Sequence, residues 1–217
     1  MIRSEAEARQ YCAERTDSAG LERLELFGAL LAAENQRQNL VSAASLESVW
    51  QRHFADSLQL LDHVSRGTEG LPEAETPGPW LDLGSGAGFP GLALAIARPN
   101  RTMILVESRK RRVEWLTQAA SALRLSNCQI VGARLESVES RQVSVITARA
   151  FAPLGKLLSL SARFSTRTTV WLLPKGRSAA QELAEQPATI QRMFHVEQSQ
   201  TDPGGGILVG RGTPDIR

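Results

Sequence analysis

Asp82-Leu83-Gly84-Ser85-Gly86-Ala87-Gly88-Phe89-Pro90-Gly91 decides how this chain is read. A short apolar run, residues 80–83, leads into it, and a helical stretch, 90–97, leads out of it. The order is strand, loop, helix. Glycines let the backbone turn tightly and admit a ligand close to the main chain. Pro90 suits the first helical turn, where its missing N–H costs nothing. Gly86-x-Gly88-x-x-Gly91 has dinucleotide-fingerprint spacing. By itself that spacing also fits a structural glycine turn.

Further strands are expected at 102–107, 127–131, 143–148 and 168–173, with helices at 109–124, 154–163 and 178–185 between them. Such alternation argues for a mostly parallel sheet with helices on both faces. Residues 191–197, the turn Asp202-Pro203-Gly204-Gly205-Gly206, and 207–210 read as a C-terminal hairpin. The predicted fold is α/β: a seven-stranded, mostly parallel sheet ending in an antiparallel hairpin, similar to the Rossmann-like class I methyltransferase fold. A nicotinamide-binding domain does not predict that hairpin.

Upstream, Leu21, Leu24, Phe27 and Leu31 recur at helical spacing. A second helix is expected over 46–63, with Leu46, Val49, Trp50, Phe54, Leu58 and Leu61 on one side. Residues 65–79 are rich in Gly, Pro and Glu and mark the boundary. The division read from this is an N-terminal helical extension (1–66), a connecting segment (67–79) and a ligand-binding domain (80–217).

The chain has 217 residues, 42% hydrophobic and 22% charged, which excludes wholesale disorder. No apolar run is long enough to span a bilayer, and the polar start lacks a signal-peptide core. Two cysteines, Cys12 and Cys128, give no disulfide framework and fit a reducing cytoplasm. No metal site is expected. Of 25 basic residues only Lys110, Lys156 and Lys175 are lysine, leaving 22 arginines. A GC-rich genome and phosphate recognition by guanidinium forks both account for that bias.

Two acids bear on the ligand. Asp82, at the mouth of the loop, is expected to repel a pyrophosphate and to suit the cationic ammonium and sulfonium end of S-adenosylmethionine. Glu107, ending the next strand, can accept hydrogen bonds from both ribose hydroxyls of either cofactor. Glu107 does not discriminate between the two; Asp82 favours S-adenosylmethionine over a nicotinamide dinucleotide.

Several segments, in order, carry a closer likeness: Asn39-Leu40-Val41-Ser42, Arg52-His53-Phe54-Ala55-Asp56-Ser57, the loop 82–91, Ser108 to Arg112, Arg134-Leu135-Glu136, Arg149-Ala150-Phe151-Ala152 and Leu173-Pro174-Lys175-Gly176. Over roughly residues 20–210 the chain resembles the bacterial small-subunit ribosomal RNA guanine-N7 methyltransferases. The resemblance implies methyl transfer from S-adenosylmethionine to guanine 527 of 16S ribosomal RNA, with the RNA, the 30S subunit or an assembly intermediate as partner, and it allows a monomer. It implies that Gly84 and Phe89 line the cofactor pocket, that Leu135 and Glu136 sit beside the adenine, and that Arg149 contacts the cofactor. Asp82, Gly86 and Glu107 complete the expected cofactor-binding set. The last strand is less basic than is usual in the family.

Other residues keep two readings. Arg109-Lys110-Arg111-Arg112 opposes the helix dipole, so it serves either a phosphate partner or pairing with Glu107 and Glu114. Lys175 meets RNA phosphate or solvent. His53, i,i+4 from Ser57, and Asp56, i,i+4 from Arg52, together with Asn39, either shape a guanine pocket or hold the N-terminal helices. No catalytic residue is named: guanine N7 carries an in-plane lone pair and attacks a methyl group without a strong base. The competing readings are a class I methyltransferase with another acceptor, a non-catalytic RNA-binding assembly factor, and an oxidoreductase.

Overall fold

The computed structural model describes residues 1–64 and 78–216. The expected connecting segment 67–79 lies outside them except for Gly78 and Pro79. Six helical elements lead the chain: α1 (Glu5–Ala13), α2 (Ser18–Asn35), α3 (Ala43–Glu47), a π-helical stretch, Trp50–Ala55, and the short α4 (Asp56–Leu58) and α5 (Leu61–Val64) that follow it. Side-chain caps start the first three. Ser4 accepts from the Glu7 N–H (3.2 Å), Asp17 from the Gly20 N–H (2.6 Å) and Ser42 from the Ser45 N–H (3.2 Å).

The remaining elements are β1 (Trp80–Leu83), α6 (Gly91–Ala97), β2 (Met103–Glu107), α7 (Lys110–Ala122), β3 (Cys128–Gly132), β4 (Val145–Ala148), α8 (Leu154–Ser161), β5 (Val170–Gly176), α9 (Ala179–Ala184), α10 (Ala188–Met193), β6 (Phe194–Gln198) and β7 (Gly206–Arg211). They form one seven-stranded sheet in the order β3-β2-β1-β4-β5-β7-β6. Pairings from β3 to β5 are parallel; β5–β7 and β6–β7 are antiparallel. The predicted architecture and terminal hairpin are therefore the observed ones.

Strand alternation separates two cores. Trp80, Met103, Leu105, Val170 and Leu172 face a core shared with α1, α2, α6 and α7. Leu81, Leu83, Ile104, Val106, Trp171 and Leu173 face the other, covered by α8, α9 and α10. Leu24, Phe27 and Leu31 of α2 are buried as their spacing predicts.

Two expectations fail. Residues 46–63 do not form one helix. The Glu5 carboxylate accepts the Trp50 N–H (3.0 Å) and the Gln51 N–H (2.8 Å), which stops α3 and restarts the chain as a wide π turn. Residues 191–193 belong to α10, not to a strand: its helix starts right after Pro187, and β6 takes over only at Phe194. No helix among the described residues is long and apolar enough to cross a membrane.

Candidate functional site

The sheet order reverses between β1 and β4. In open α/β sheets such a reversal opens a crevice at the carboxyl ends of the strands. Two cavities lie there, of about 270 Å³ and about 770 Å³. Ala150, Phe151 and Ala152, just after β4, line both and divide them.

The smaller cavity is lined by Gly84 after β1, Glu107 ending β2, and Leu135 and Glu136 after β3. The Glu107 carboxylate is anchored by main chain: Oε2 accepts the Gly86 N–H (3.1 Å), and Oε1 accepts those of Ser108 (2.8 Å) and Arg109 (2.9 Å). Oε1 is filled by its two donors, and Oε2 keeps a lone pair for a ribose hydroxyl. Gly84 sits at φ +67°, and a Cβ there would stand 2.6 Å from the Phe151 ring. Only glycine lets the turn and the dividing phenylalanine meet. The Arg163 guanidinium donates to the Leu135 carbonyl and to Ser140 Oγ (2.9 Å), holding the Leu135–Ser137 turn at the cavity edge.

The larger cavity is lined by Ser45, Arg52, His53 and Asp56 of the N-terminal helices, Arg149 after β4, Lys175 and Glu182, and the turn before β7. Arg149 donates to the Arg52 carbonyl (3.2 Å), to Asp56 Oδ2 (3.3 Å) and to His53 Nδ1 (3.1 Å). A guanidinium can only donate. Nδ1 is therefore the acceptor, and the proton of this imidazole is on Nε2, 3.1 Å from Ser45 Oγ. Burial, then the Arg149 and Arg52 charges, push His53 down to about 3, so it is neutral at any ordinary pH. Its ring stacks on Phe89 at 4.7 Å.

Gly84, Glu107, Leu135 and Glu136 are thus brought together, while Arg149 lies across the Phe151 divide on the other cavity. Asp82, Gly86 and Phe89 line neither. Strand alternation turns Asp82 to the same face as Trp80, beneath the glycine loop and not at its mouth. It is fully buried, with Oδ1 accepting from Thr147 (2.8 Å). Its Oδ2 lacks a hydrogen bond of good geometry, and burial pushes the carboxyl up. Phe89 packs between Phe27, Phe54 and His53. Asn39 reaches neither cavity.

Of the i,i+4 pairs expected in the His53 helix, His53 and Ser57 meet through the His53 main chain, and Arg52 and Asp56 take other partners. Ser57 Oγ donates to the His53 carbonyl (2.6 Å), Arg52 pairs with Asp202 (3.4 Å) and Asp56 with Arg149. Lys175 meets neither solvent nor an open phosphate site. Its ammonium, with side chain 8% exposed, binds Glu182 (2.9 Å) and the Ala152 carbonyl (2.7 Å). Burial opposes ionisation of Glu182, but Lys175 and Ser178 outweigh it and hold the carboxyl low. Of the basic run, Lys110 reaches Glu114 at 4.0 Å and Arg111 donates to the Arg37 carbonyl (3.0 Å). The side chains of Arg109 and Arg112, like those of Arg134 and Lys156, line the smaller cavity with no ion pair among the described residues. Ser45, Glu182, Ser199 and Thr201 had no signal in the sequence; Ser199 and Thr201 gain their places through Gln59 and Asp56, far earlier in the chain.

Residues 20–203 match the family model GidB, described as rRNA small subunit methyltransferase G. A ribosomal RNA small subunit methyltransferase G from Erythrobacter litoralis is 60% identical over 212 residues, 98% of each chain. Another, from Novosphingobium aromaticivorans, is 53% identical over 210 residues, 96% of this chain and 88% of that one. Solved structures share the fold at low identity. A methyltransferase from Geobacter sulfurreducens has a TM-score of 0.58 at 11% identity, over 85% of this chain and 89% of its own. A point mutant of MtNAS in complex with S-adenosylmethionine has a TM-score of 0.53 at 14% identity, over 95% of this chain and 89% of its own.

Proposed function

The chain belongs to the GidB family, rRNA small subunit methyltransferase G, and from that premise we propose that it methylates N7 of a guanine in 16S ribosomal RNA, guanine 527, using S-adenosylmethionine. One observation carries the reading: a small cavity lined by Gly84, Glu107, Leu135 and Glu136 adjoins a larger one whose imidazole is held neutral and is a poor base.

The residues present fit the cofactor. Glu107, fixed by three N–H donors, would hold the ribose; Leu135 and Glu136 would flank the adenine; Gly84 leaves the main chain open. When bound, the cofactor supplies an electrophilic methyl group on a sulfonium. The protein's task is then to align acceptor and donor and to exclude water. An in-plane lone pair at N7 needs no proton removed, which suits a His53 too acidic to act as a base. The methylated base carries a positive charge, while on the larger cavity Asp56, Glu182 and Asp202 are each paired with Arg149, Lys175 and Arg52, so the charges of these pairs balance. Asp202 is held ionised by the Gly204 N–H and Arg52.

Four cations without ion pairs among the described residues, Arg109, Arg112, Arg134 and Lys156, ring the smaller cavity. S-adenosylmethionine carries no phosphate, so their charge favours an acceptor that brings its own. N7 lies on the major-groove edge, which A-form RNA buries deeply; the target base must be unpaired.

The test is transfer of labelled methyl to 16S RNA or 30S subunits lacking the modification, mapped by borohydride and aniline cleavage at N7-methylguanosine. One cut at the expected guanine is the expected result. Absence of label while cofactor still binds would overturn the acceptor assignment.

A further inference from the structure

We propose that Thr201, in the turn between β6 and β7, is a positioning residue that sets Arg149 and the His53 tautomer through Asp56. The inference rests on the larger cavity being the acceptor site. Its starting point is a polar chain that crosses the molecule. Thr201 is 3% exposed, and its hydroxyl lies 2.7 Å from Asp56 Oδ1. A carboxylate only accepts, so the threonine proton is committed to Asp56. Thr201 Oγ1 is then left to accept, from Ser199 Oγ (3.1 Å) or Gln59 Nε2 (3.4 Å), and the Ser199 oxygen receives the Thr201 and Asp202 N–H groups (3.2 Å each).

Gln59, fully buried, locks the same junction. Its amide nitrogen donates to Asp56 Oδ1 (2.9 Å), and its oxygen accepts the Gln200 N–H (2.7 Å). Asp56 Oδ1 is thereby saturated by Gln59 and Thr201, which turns Oδ2 toward Arg149. Arg149 in turn donates to His53 Nδ1 and fixes the proton on Nε2. From Thr201 onward the direction of each bond follows from donor and acceptor inventory: Thr201 to Asp56, met by Arg149, which continues to His53 and Ser45. A hydroxyl in the terminal hairpin thus determines which face of the imidazole and which edge of the guanidinium the cavity presents. A merely packed threonine has no such reach.

Valine and serine separate the two roles. Thr201→Val keeps the shape and removes the proton; Thr201→Ser keeps the proton and removes the methyl. Loss of one charge-assisted hydrogen bond predicts that the Val variant falls about tenfold in kcat. S-adenosylmethionine affinity should not change, and the Ser variant should recover most of the loss. The independent readout is the ¹⁵N signal of His53. The wild type should show protonated Nε2 and bare Nδ1, and the Val variant a mixture of tautomers. Asp56→Asn should give the same mixture, and the double variant should be no slower than Asp56→Asn alone. That variant also carries the test should the Val protein not fold.

An active Val variant with an impaired Ser variant would overturn the proposal, as would effects that multiply in the double variant or an unmoved His53 signal. The NMR readout needs no methyl transfer. A shifted signal in a protein that methylates no RNA would leave the positioning role standing and remove the proposed function instead.

Discussion

The two cavities are built in opposite ways. The smaller takes its walls from residues 83–84, 106–112 and 133–136, successive strand ends of one parallel run, closed by 150–160. The larger collects residues 45–56, 149–153, 174–182 and 199–207, so its two sides come from the first and last parts of the chain. One is fixed by main-chain geometry at the edge of a sheet, and the other by side chains that find partners up to 150 residues away. The first should tolerate change poorly at glycines and strand ends, the second at hydroxyls and amides.

The strongest way to break the smaller cavity is at its glycine. Gly84→Val places a β-branched side chain at φ +67° and against Phe151; affinity for S-adenosylmethionine, measured by calorimetry, should drop by about 100-fold or more. Glu107→Gln keeps the shape but weakens a carboxylate that three N–H groups hold. Cofactor affinity should fall about tenfold, with RNA affinity unchanged. If the two affinities fell together, the division at Phe151 would not separate two ligands.

The rim sharpens the contrast. Replacing Arg109, Arg134 or Lys156 singly by Ala should lower RNA affinity a few-fold. Each change should reduce the salt slope by about 0.7–0.9, one phosphate's worth, while leaving the cofactor isotherm as it was. An unaltered slope would assign those cations elsewhere.

A separate, pH-dependent effect concerns His53. Its folded pKa of about 3 lies below the ordinary 6.5. Between those values the unfolded chain binds a proton that the folded chain refuses, so stability falls as pH drops through that window. The contribution is at most about 1.4 kcal/mol per pH unit. Urea unfolding at pH 4.5 and 7 should show a slope that His53→Phe flattens. Methyl transfer should show no limb from this histidine between pH 5 and 8, and such a limb would contradict the neutral assignment.

The same contrast explains what the amino-acid order reveals. Strand, glycine loop, helix and an acid at the next strand end are local patterns, and Gly84, Glu107, Leu135 and Glu136 converge as their positions predict. Asp82 misled because its place on a four-residue strand, not its distance from the loop, decides which face it takes. The helix expected over 46–63 misled for a longer-range reason. Its apolar spacing is helical throughout, and the break comes from Glu5, whose carboxylate takes two of its N–H groups. Thr201 sits in a turn rich in Ser, Asp, Pro and Gly that looks like any solvent loop until Asp56 is seen opposite it.

The pairing of the first residues with the terminal hairpin also sets an order of assembly during synthesis. The Ile2 N–H bonds the Gln200 carbonyl at 2.7 Å, and Gln51 reaches the Ile2 carbonyl at 2.8 Å. Chains emerge from the ribosome from the N-terminus at about 5–20 residues per second. Glu107 and Leu135 are therefore exposed for pairing while Thr201 is still unmade. The walls of the smaller cavity can close early, whereas the arginine and imidazole opposite stay unset until the turn before β7 has been made.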